Sequence, residues 1–416
     1  MRGLTDRVAG VFDRRLATNL DAPLAVALSG GGDSVALTLM ADSWARAHGR
    51  QLLVLTVDHR LRAESAGWTE TCRTLALRLG VDFRALAWDG EKPAHGLPAA
   101  ARTARHGLLA DAARAAGASV ILMGHTADDL AESAAMRAEG ASTPDAREWA
   151  PSPVWPQGRG IFLLRPLLAA RRAGLRAWLE ARGETWIEDP ANADPRFART
   201  RARATLAGVA PYGRPPAAPP LAGVADLARR VEDQGALALP RDALRKAAPE
   251  DARTLVATAA LCAAGTARPP RGDRLARLTD ALLGPAPLVA TLAGARIEAD
   301  ATRIVWSRGA GEMARSGADA LQLRPGAAAV WDGRYELHAD AALQFSPLAG
   351  HARRMSAAAR AALGRLPASA RGGLPAIELE GRVMCPLLEA IEGVTVRPLA
   401  LARLAAACGL VDREPV

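Results

Sequence analysis

Leu24-Ala25-Val26-Ala27-Leu28-Ser29-Gly30-Gly31-Gly32-Asp33-Ser34, followed by a second apolar stretch from Val35 to Met40, decides how the N-terminal half of this chain is read. Five apolar residues that stop at a glycine turn describe a buried strand, and the run beyond the turn reads as a helix. Gly30, Gly31 and Gly32 let consecutive backbone N–H groups curl toward one anion, and the helix adds the positive end of its dipole. The Gly-Lys-Ser/Thr that sets a lysine on the outer phosphates of the common nucleotide loop is missing. An acid, Asp33, stands there instead, which calls for a Mg²⁺ ion between that carboxylate and the phosphates. A glycine turn alone is more often only a turn. The order strand, triple glycine, Asp-Ser, helix gives this one a chemical meaning.

Working outward, the first two hundred residues alternate strand and helix patterns. Strands are expected at Leu24–Leu28, Leu52–Val57, Val81–Trp88, Val120–Met123 and Ile161–Leu164, with helices at about 35–48, 66–79, 99–116 and 128–138. Such alternation predicts an α/β fold, a parallel sheet with helices on both faces. Ligands then sit outside the carboxyl ends of the strands. Three of those ends carry polar clusters: Ser29–Ser34, Asp58-His59, and Gly124-His125 with Asp128-Asp129.

The chain has 416 residues, enough for two or three domains, and half of them are hydrophobic, enough for folded cores. No apolar run is long enough to cross a bilayer, and the charged amphipathic N-terminus lacks an apolar signal core, so the expected location is the cytoplasm. Cys72, Cys262, Cys385 and Cys408 lie far apart without a CxxC pair. That spacing argues against a zinc site or a cysteine-held iron–sulfur cluster. The net charge is +9, and Lys92 and Lys246 are the only lysines. Arginine excess can follow from genome composition alone; it also suits a polyanionic partner such as nucleic acid, whose phosphates guanidinium groups pair bidentately.

Three further segments carry chemistry. In Gly124–Ser133 (GHTADDLAES), a helix starting near Ala127 puts Asp129 and Glu132 on one face, where they could hold a metal or a cationic substrate. Acids at a helix start also satisfy the dipole. In Ala100–Gly107 (AARTARHG), Arg102 and Arg105 stand one turn apart. The segment Trp186–Arg203 (WIEDPANADPRFARTRAR) ends with Arg196, Arg199, Arg201 and Arg203 close together, as an Asx-turn loop or an RNA-backbone contact would. Beyond it, Pro211–Pro220 holds five prolines and reads as a linker. Helical periodicity follows from Val224 to Leu283, then hairpins about Asp300 and Asp332-Gly333. The expected division is a catalytic domain over 1–208, a linker over 209–222, a helical domain with a hairpin over 223–316, and a small α+β module over 317–416.

The pattern SGGxDS resembles the PP-loop of ATP pyrophosphatases, which split ATP between the α and β phosphates and adenylate a substrate. Taken with Val57–Arg62 (VDHRLR), AARTAR, GHTADDLAES, Arg165–Leu168 (RPLL) and Trp186–Arg203, the set resembles the tRNA(Ile)-lysidine synthetase family over the whole first domain. The C-terminal half matches weakly, through RPGAAAVWDGRYEL and Leu366–Ile377. The resemblance implies a PP-loop, adenine nucleotide α-hydrolase-like N-terminal domain followed by smaller helical and mixed α+β modules that bind tRNA. It implies adenylation of the wobble cytidine of an isoleucine tRNA with a CAU anticodon, then displacement of AMP by free L-lysine.

Carried over by position, Ser29, Gly30, Gly31, Gly32, Asp33 and Ser34 would hold ATP, with Asp33 on Mg²⁺, and Asp58 and His59 would border the nucleotide. Arg105 and Arg102 would contact phosphate, and His125 would lie near the α-phosphate. Asp129 and Glu132 would hold lysine, and Arg199, Arg201 and Arg203 would touch tRNA. The sequence departs from the family at Arg60, where glycine is frequent, at His106, where tyrosine is common, and at Leu130, where glutamine is common. Met136–Gly158 replaces the family's arginine-and-RGSG stretch, with Gly140 and Ser142 as remnants. Two other readings fit a basic PP-loop chain. One is a tRNA thiolase, which usually needs paired cysteines; the other is an RNA-binding module with a dead nucleotide loop.

Overall fold

The computed structural model describes residues 2–62, 64–140, 146–189, 198–206, 221–233, 235–315 and 320–416. Contacts divide the chain into two compact units, Met1–Pro219 together with Val411–Val416, and Pro220–Leu410.

The first unit is built on a six-stranded sheet. Its strands are β1 (Leu24–Ala27), β2 (Leu52–Asp58), β3 (Asp82–Ala87), β4 (Val120–Leu122), β5 (Trp149–Pro151) and β6 (Phe162–Leu164), in the order β3-β2-β1-β4-β6-β5. All neighbours are parallel except β5, which runs antiparallel to β6 at the edge. The five expected strands are thus present. The edge strand β5 was not anticipated, because three residues containing Pro151 carry no period-2 signal.

Alternation along the strands builds two cores. Leu24, Val26, Leu52, Val54, Val120 and Leu122 face one side. Ala25, Leu53, Leu55, Ile121 and Leu163 face the other. Both faces are therefore apolar, which is why these strands read as continuous hydrophobic runs. Four helices cover the first face: α1 (Arg2–Arg15), α2 (Gly32–Ala47), α3 (Ser65–Leu79) and, further along the chain, Arg172–Glu180. On α1, Val8, Val11 and Phe12 supply the i, i+3, i+4 stripe that docks it. The second face is covered by α4 (Leu97–Ala115) through Leu109, Ala110 and Ala113. Two more helices matter below: α5 (Ala127–Ala138) and, numbering Arg172–Glu180 as α6, α7 (Ala198–Leu206).

The segment after Leu410 belongs to this first unit, not to the last module of the sequence-based division. Arg50 is buried and its guanidinium donates to Ala17 O (2.6 Å) and Ala22 O (2.9 Å) as well as to Glu414 (2.9 Å). Both side chains of that ion pair are fully excluded from solvent. Ala17 N–H donates to Glu414 Oε2, Glu414 N–H to Arg15 O, and the Trp149 indole to Val411 O.

In the second unit, the helix Pro249–Ala264 is buried against a five-stranded antiparallel sheet through Leu255, Val256, Ile297 and Trp306. Two smaller antiparallel sheets share another core around Leu337, Phe345 and Ile377. Both expected hairpins form, Ala295–Ala299 with Arg303–Arg308 and Ala327–Trp331 with Tyr335–Ala339. The turn residue Asp332 is itself buried between Arg308 (2.9 Å) and Arg334 (2.7 Å). The helix Ala400–Ala407 packs back into the first of these cores through Leu404. The linker expected over 209–222 lies, up to Pro220, outside the described residues.

Removing one member of a buried ion pair strands the other charge. Glu414→Ala should therefore destabilise the first unit by about 3–5 kcal/mol. A urea midpoint within experimental error of wild type would refute that role.

Candidate functional site

Strand order reverses between β1 and β4: the chain moves outward from β1 to β2 and β3, then returns to β4 on the other side. At such a switch the loops after the two strands diverge and leave a crevice. The loop Ser29–Ser34 follows β1, and Gly124–Thr126 follows β4. Between them opens a cavity of about 550 Å³, lined among others by Ser29, Asp33, Asp58, His59, Arg105 and His125.

The phosphate loop is held by its own serines. Ser34 Oγ donates to Gly31 O (2.8 Å), accepts from Ser29 N–H (3.2 Å) and lies 3.1 Å from Ser29 Oγ. Gly30 has a φ of +83°, in the left-handed region, and a Cβ there would fall 2.3 Å from Ile187 Cδ1. Glycine is required on both counts. Ile187 N–H donates to Gly30 O (2.9 Å), so the segment Trp186–Asp189 is pinned to the loop. Arg62 holds its far end through Asp189 (3.2 Å). Gly124 lets the β4 loop approach, since a Cβ there would meet the Ser34 backbone at 3.2 Å.

One pole of the cavity is basic. Arg105 lines it, while Arg102 is exposed on the same helix and does not. Behind them Arg165, directly after β6, is buried. Burial and the neighbouring charges of Arg102 and Arg105 lower its pKa to about 10. Arg165 Nε donates to His125 Nδ1 (3.2 Å). A guanidinium cannot accept, so Nδ1 carries no hydrogen and the neutral ring bears its hydrogen on Nε2. His59 is likewise biased toward neutrality, by burial and then by Arg105. Its neighbour Asp58 caps the turn after β2 by accepting from Arg60 N–H (2.7 Å). Arg60 adopts a φ of +51°, the conformation that explains the glycine frequent at this position in the family.

The opposite pole is acidic, and a residue with no role in the sequence reading organises it. Arg172, the first residue of α6, places Nε 3.2 Å from Asp33, one terminal nitrogen 3.1 Å from Glu132 and the other 3.3 Å from Asp129. Its backbone N–H donates to Asp128 (2.8 Å). Burial opposes its charge, yet Glu132, Asp129 and Asp33 together hold its pKa above the ordinary arginine value. Asp129 also caps α5, accepting from Thr126 N–H (2.6 Å) and Thr126 Oγ1 (3.0 Å). The acid thus caps its own helix while it lines the cavity. Glu132 is buried beneath the cavity and accepts from Arg203 Nε as well (2.8 Å).

Arg203 therefore points to the acidic pole, whereas Arg201 is exposed on α7. The side chain of Arg199 and the residues Asp194, Pro195 and Arg196 lie outside the described residues, as does Ser142.

Asp33 tests the fit of a divalent cation. Its Oδ1 is buried with no hydrogen-bond partner, and burial raises its pKa more than Arg172 lowers it. Such an oxygen suits a cation delivered with phosphates. Among the described residues no cluster of three or more acidic, histidine or cysteine side chains could hold a metal alone. Mg²⁺ is normally held by one or two carboxylates plus substrate phosphates, and Asp33 offers one such carboxylate.

Arg165, quoted only as the start of RPLL, was given no role, and Arg172 was not singled out, although both follow β6. The strand-end rule that singled out three loops applies equally to this one.

Residues 6–209 match the model of the PP-loop domain family. A tRNA(Ile)-lysidine synthase of Caulobacter vibrioides is 48% identical over 99% of this chain and 99% of its own. One from Hyphomonas neptunium is 36% identical over 68% of this chain and 81% of its own. One from Rhizobium meliloti is 35% identical over 74% and 72%.

His106 gives a test of the basic pole. Burial first, then Arg105, Arg102 and Arg165, lower its pKa to about 3. Between roughly pH 6.5 and that value only the unfolded chain binds the proton, so stability should fall as pH falls through this window. His106→Leu should remove that part of the slope, which is at most about 1.4 kcal/mol per pH unit. Urea midpoints measured from pH 7 to 4 would show it; parallel curves for the two proteins would refute a neutral His106.

Proposed function

The chain belongs to the tRNA(Ile)-lysidine synthases, ATP-dependent ligases that form lysidine on tRNA(Ile), and from that membership we propose how its cavity divides the work. The observation that carries the reading is charge segregation. A phosphate loop and an arginine–histidine pole suit ATP, and a carboxylate pole suits a cationic amino acid.

In the first half-reaction the O2 oxygen of the wobble cytidine in the CAU anticodon attacks the α-phosphorus. The bond to the β-phosphate oxygen breaks, and pyrophosphate leaves. The loop amides of Gly31 and Gly32 and the start of α2 receive phosphate oxygens. Arg105 and the Nε2 hydrogen of His125 stabilise charge developing at the α-phosphate. Asp33 would hold Mg²⁺ through its unpartnered oxygen, and the ion would supply charge neutralisation at the departing pyrophosphate. Asp58 and His59 border the nucleotide.

In the second half-reaction the lysine ε-nitrogen attacks C2, the C2–O bond breaks, and AMP leaves while the amine loses a proton. An amine with a reference pKa near 10.4 is almost wholly ammonium at pH 7. Carboxylates beside it favour that form further. Asp129 and Glu132 therefore serve recognition, and loss of the proton accompanies or follows transfer away from them. Contacts to the tRNA backbone are assigned to Arg201 and to Arg199, and discrimination among tRNAs sharing the CAU triplet to the arginine-rich residues after 222. A sulfur-transfer reading is disfavoured by thiols that are all buried, with Cys262 pushed by burial to about 12 and Cys385 to about 11.

The test is incubation with ATP, radiolabelled lysine and bulk bacterial tRNA, followed by nucleoside analysis. Label should appear in one cytidine-derived nucleoside and require ATP; label absent from tRNA would sink the reading.

The tautomer of His125 makes a second prediction. Arg165→Met removes the donor to Nδ1, so that contact no longer fixes the hydrogen on Nε2. Adenylation should slow at least tenfold while ATP binding changes less than threefold. An adenylation rate within twofold of wild type would show that Arg165 does not set the ring's tautomer.

A further inference from the structure

Arg172 occupies the ground that the proposed reaction reserves for a substrate. Its three guanidinium nitrogens reach three different carboxylates, Asp33, Asp129 and Glu132, at 3.1–3.3 Å. Two of the three are the groups assigned above to the lysine ammonium. An ammonium carries the same charge and three donors, so Arg172 presents to Asp129 and Glu132 what free lysine would present. The pole cannot serve both at once at full strength, because the two cations would compete for the same oxygens and repel one another at short range.

The third carboxylate explains how the competition could be resolved. Asp33 lies in the first turn of α2, inside the phosphate loop, so Arg172 already touches the edge of the anion site through Nε. A polyphosphate seated in that loop is a more highly charged partner than a carboxylate, and a guanidinium pairs with it bidentately. The Arg172 backbone is anchored independently, through its N–H to Asp128 (2.8 Å), so the side chain can change partners while α6 stays in place. Glu132 does not lose its last counter-charge in that exchange, since Arg203 also pairs with it (2.8 Å).

We propose that Arg172 is a resident counter-ion that holds the lysine position closed until nucleotide draws it away, so that lysine binding is conditional on ATP. The proposal rests on the assignment of Asp129 and Glu132 to lysine. It gives the two half-reactions an order: the amine arrives at a pole vacated by the same nucleotide that activates the cytidine.

The test is equilibrium dialysis of radiolabelled lysine against the full chain, with and without Mg²⁺ and α,β-methylene ATP, which cannot be cleaved at the bond that breaks. Wild type should bind lysine at least tenfold more tightly with the analogue. Lysine should in turn tighten the analogue by the same factor, as linkage requires. Arg172→Gln should bind lysine without the analogue about as tightly as wild type does with it, and its nucleotide dependence should fall below threefold.

Circular dichroism and a thermal melt establish that this variant is folded. If it is not, Arg172→Lys carries the test, since a point charge cannot bridge three carboxylates, and its nucleotide dependence should drop at least threefold. The proposal is overturned if wild type binds lysine equally with and without the analogue. It is overturned equally if the folded variant keeps the full dependence or binds lysine no better without nucleotide. Failure of the underlying reading looks different: wild type then binds no lysine in either state and incorporates none into tRNA, and the proposal falls with it.

Discussion

The crevice beside β1 exists because the chain cannot cover both sides of its first strand with the same crossover. It runs outward through β2 and β3 and returns to β4, so the loops after β1 and β4 part instead of packing. Much of the candidate site hangs on that divergence. The phosphate loop takes one lip, His125 and the start of α5 the other, and the turn after β6 brings Arg165 and Arg172 from the neighbouring strand. The two-sided core is what keeps the lips apart. Residues such as Val26 and Ile121 are fully buried on opposite faces, so the strand ends cannot shift without disturbing a close-packed layer.

Within the crevice the decisive property is that a basic cluster lies at one end and a carboxylate cluster, itself bridged by Arg172 and Arg203, at the other. At one pole, burial first and then the charges of Arg105, Arg102 and Arg165 favour the neutral form of His106. Asp33, Asp128, Asp129 and Glu132 gather at the other, and Arg171 and Arg172 bind that cluster from outside and within. A molecule that must bring together a polyanion and an ammonium gains from this layout.

The parallel sheet and its helices were legible because burial on both faces writes unbroken apolar runs between glycine-marked turns. The strand predicted at Leu52–Val57 is observed at Leu52–Asp58, and the helix predicted near 66–79 at Ser65–Leu79. The loop Ser29–Ser34 and the pairing of Asp129 with Glu132 on one helical face were legible too, since each depends only on local geometry. Arg172 was not. Its meaning comes from three carboxylates between 40 and 139 positions away in sequence. Arg203 misled for the related reason that a run of arginines conceals which one turns inward. The six residues after Leu410 were equally opaque, because nothing in a polar tail announces that Glu414 has a buried partner at Arg50.

That tail bears on the topology of the chain as well as on its packing. Residues 411–416 follow the whole of the second unit in sequence, yet they supply the counter-charge for Arg50 in the first. The two partners stand 364 positions apart, so the pair closes a long loop, at an entropic cost that grows only slowly with the length enclosed. The first unit is thereby discontinuous in sequence, and removing its short second segment leaves the buried Arg50 with backbone carbonyls alone.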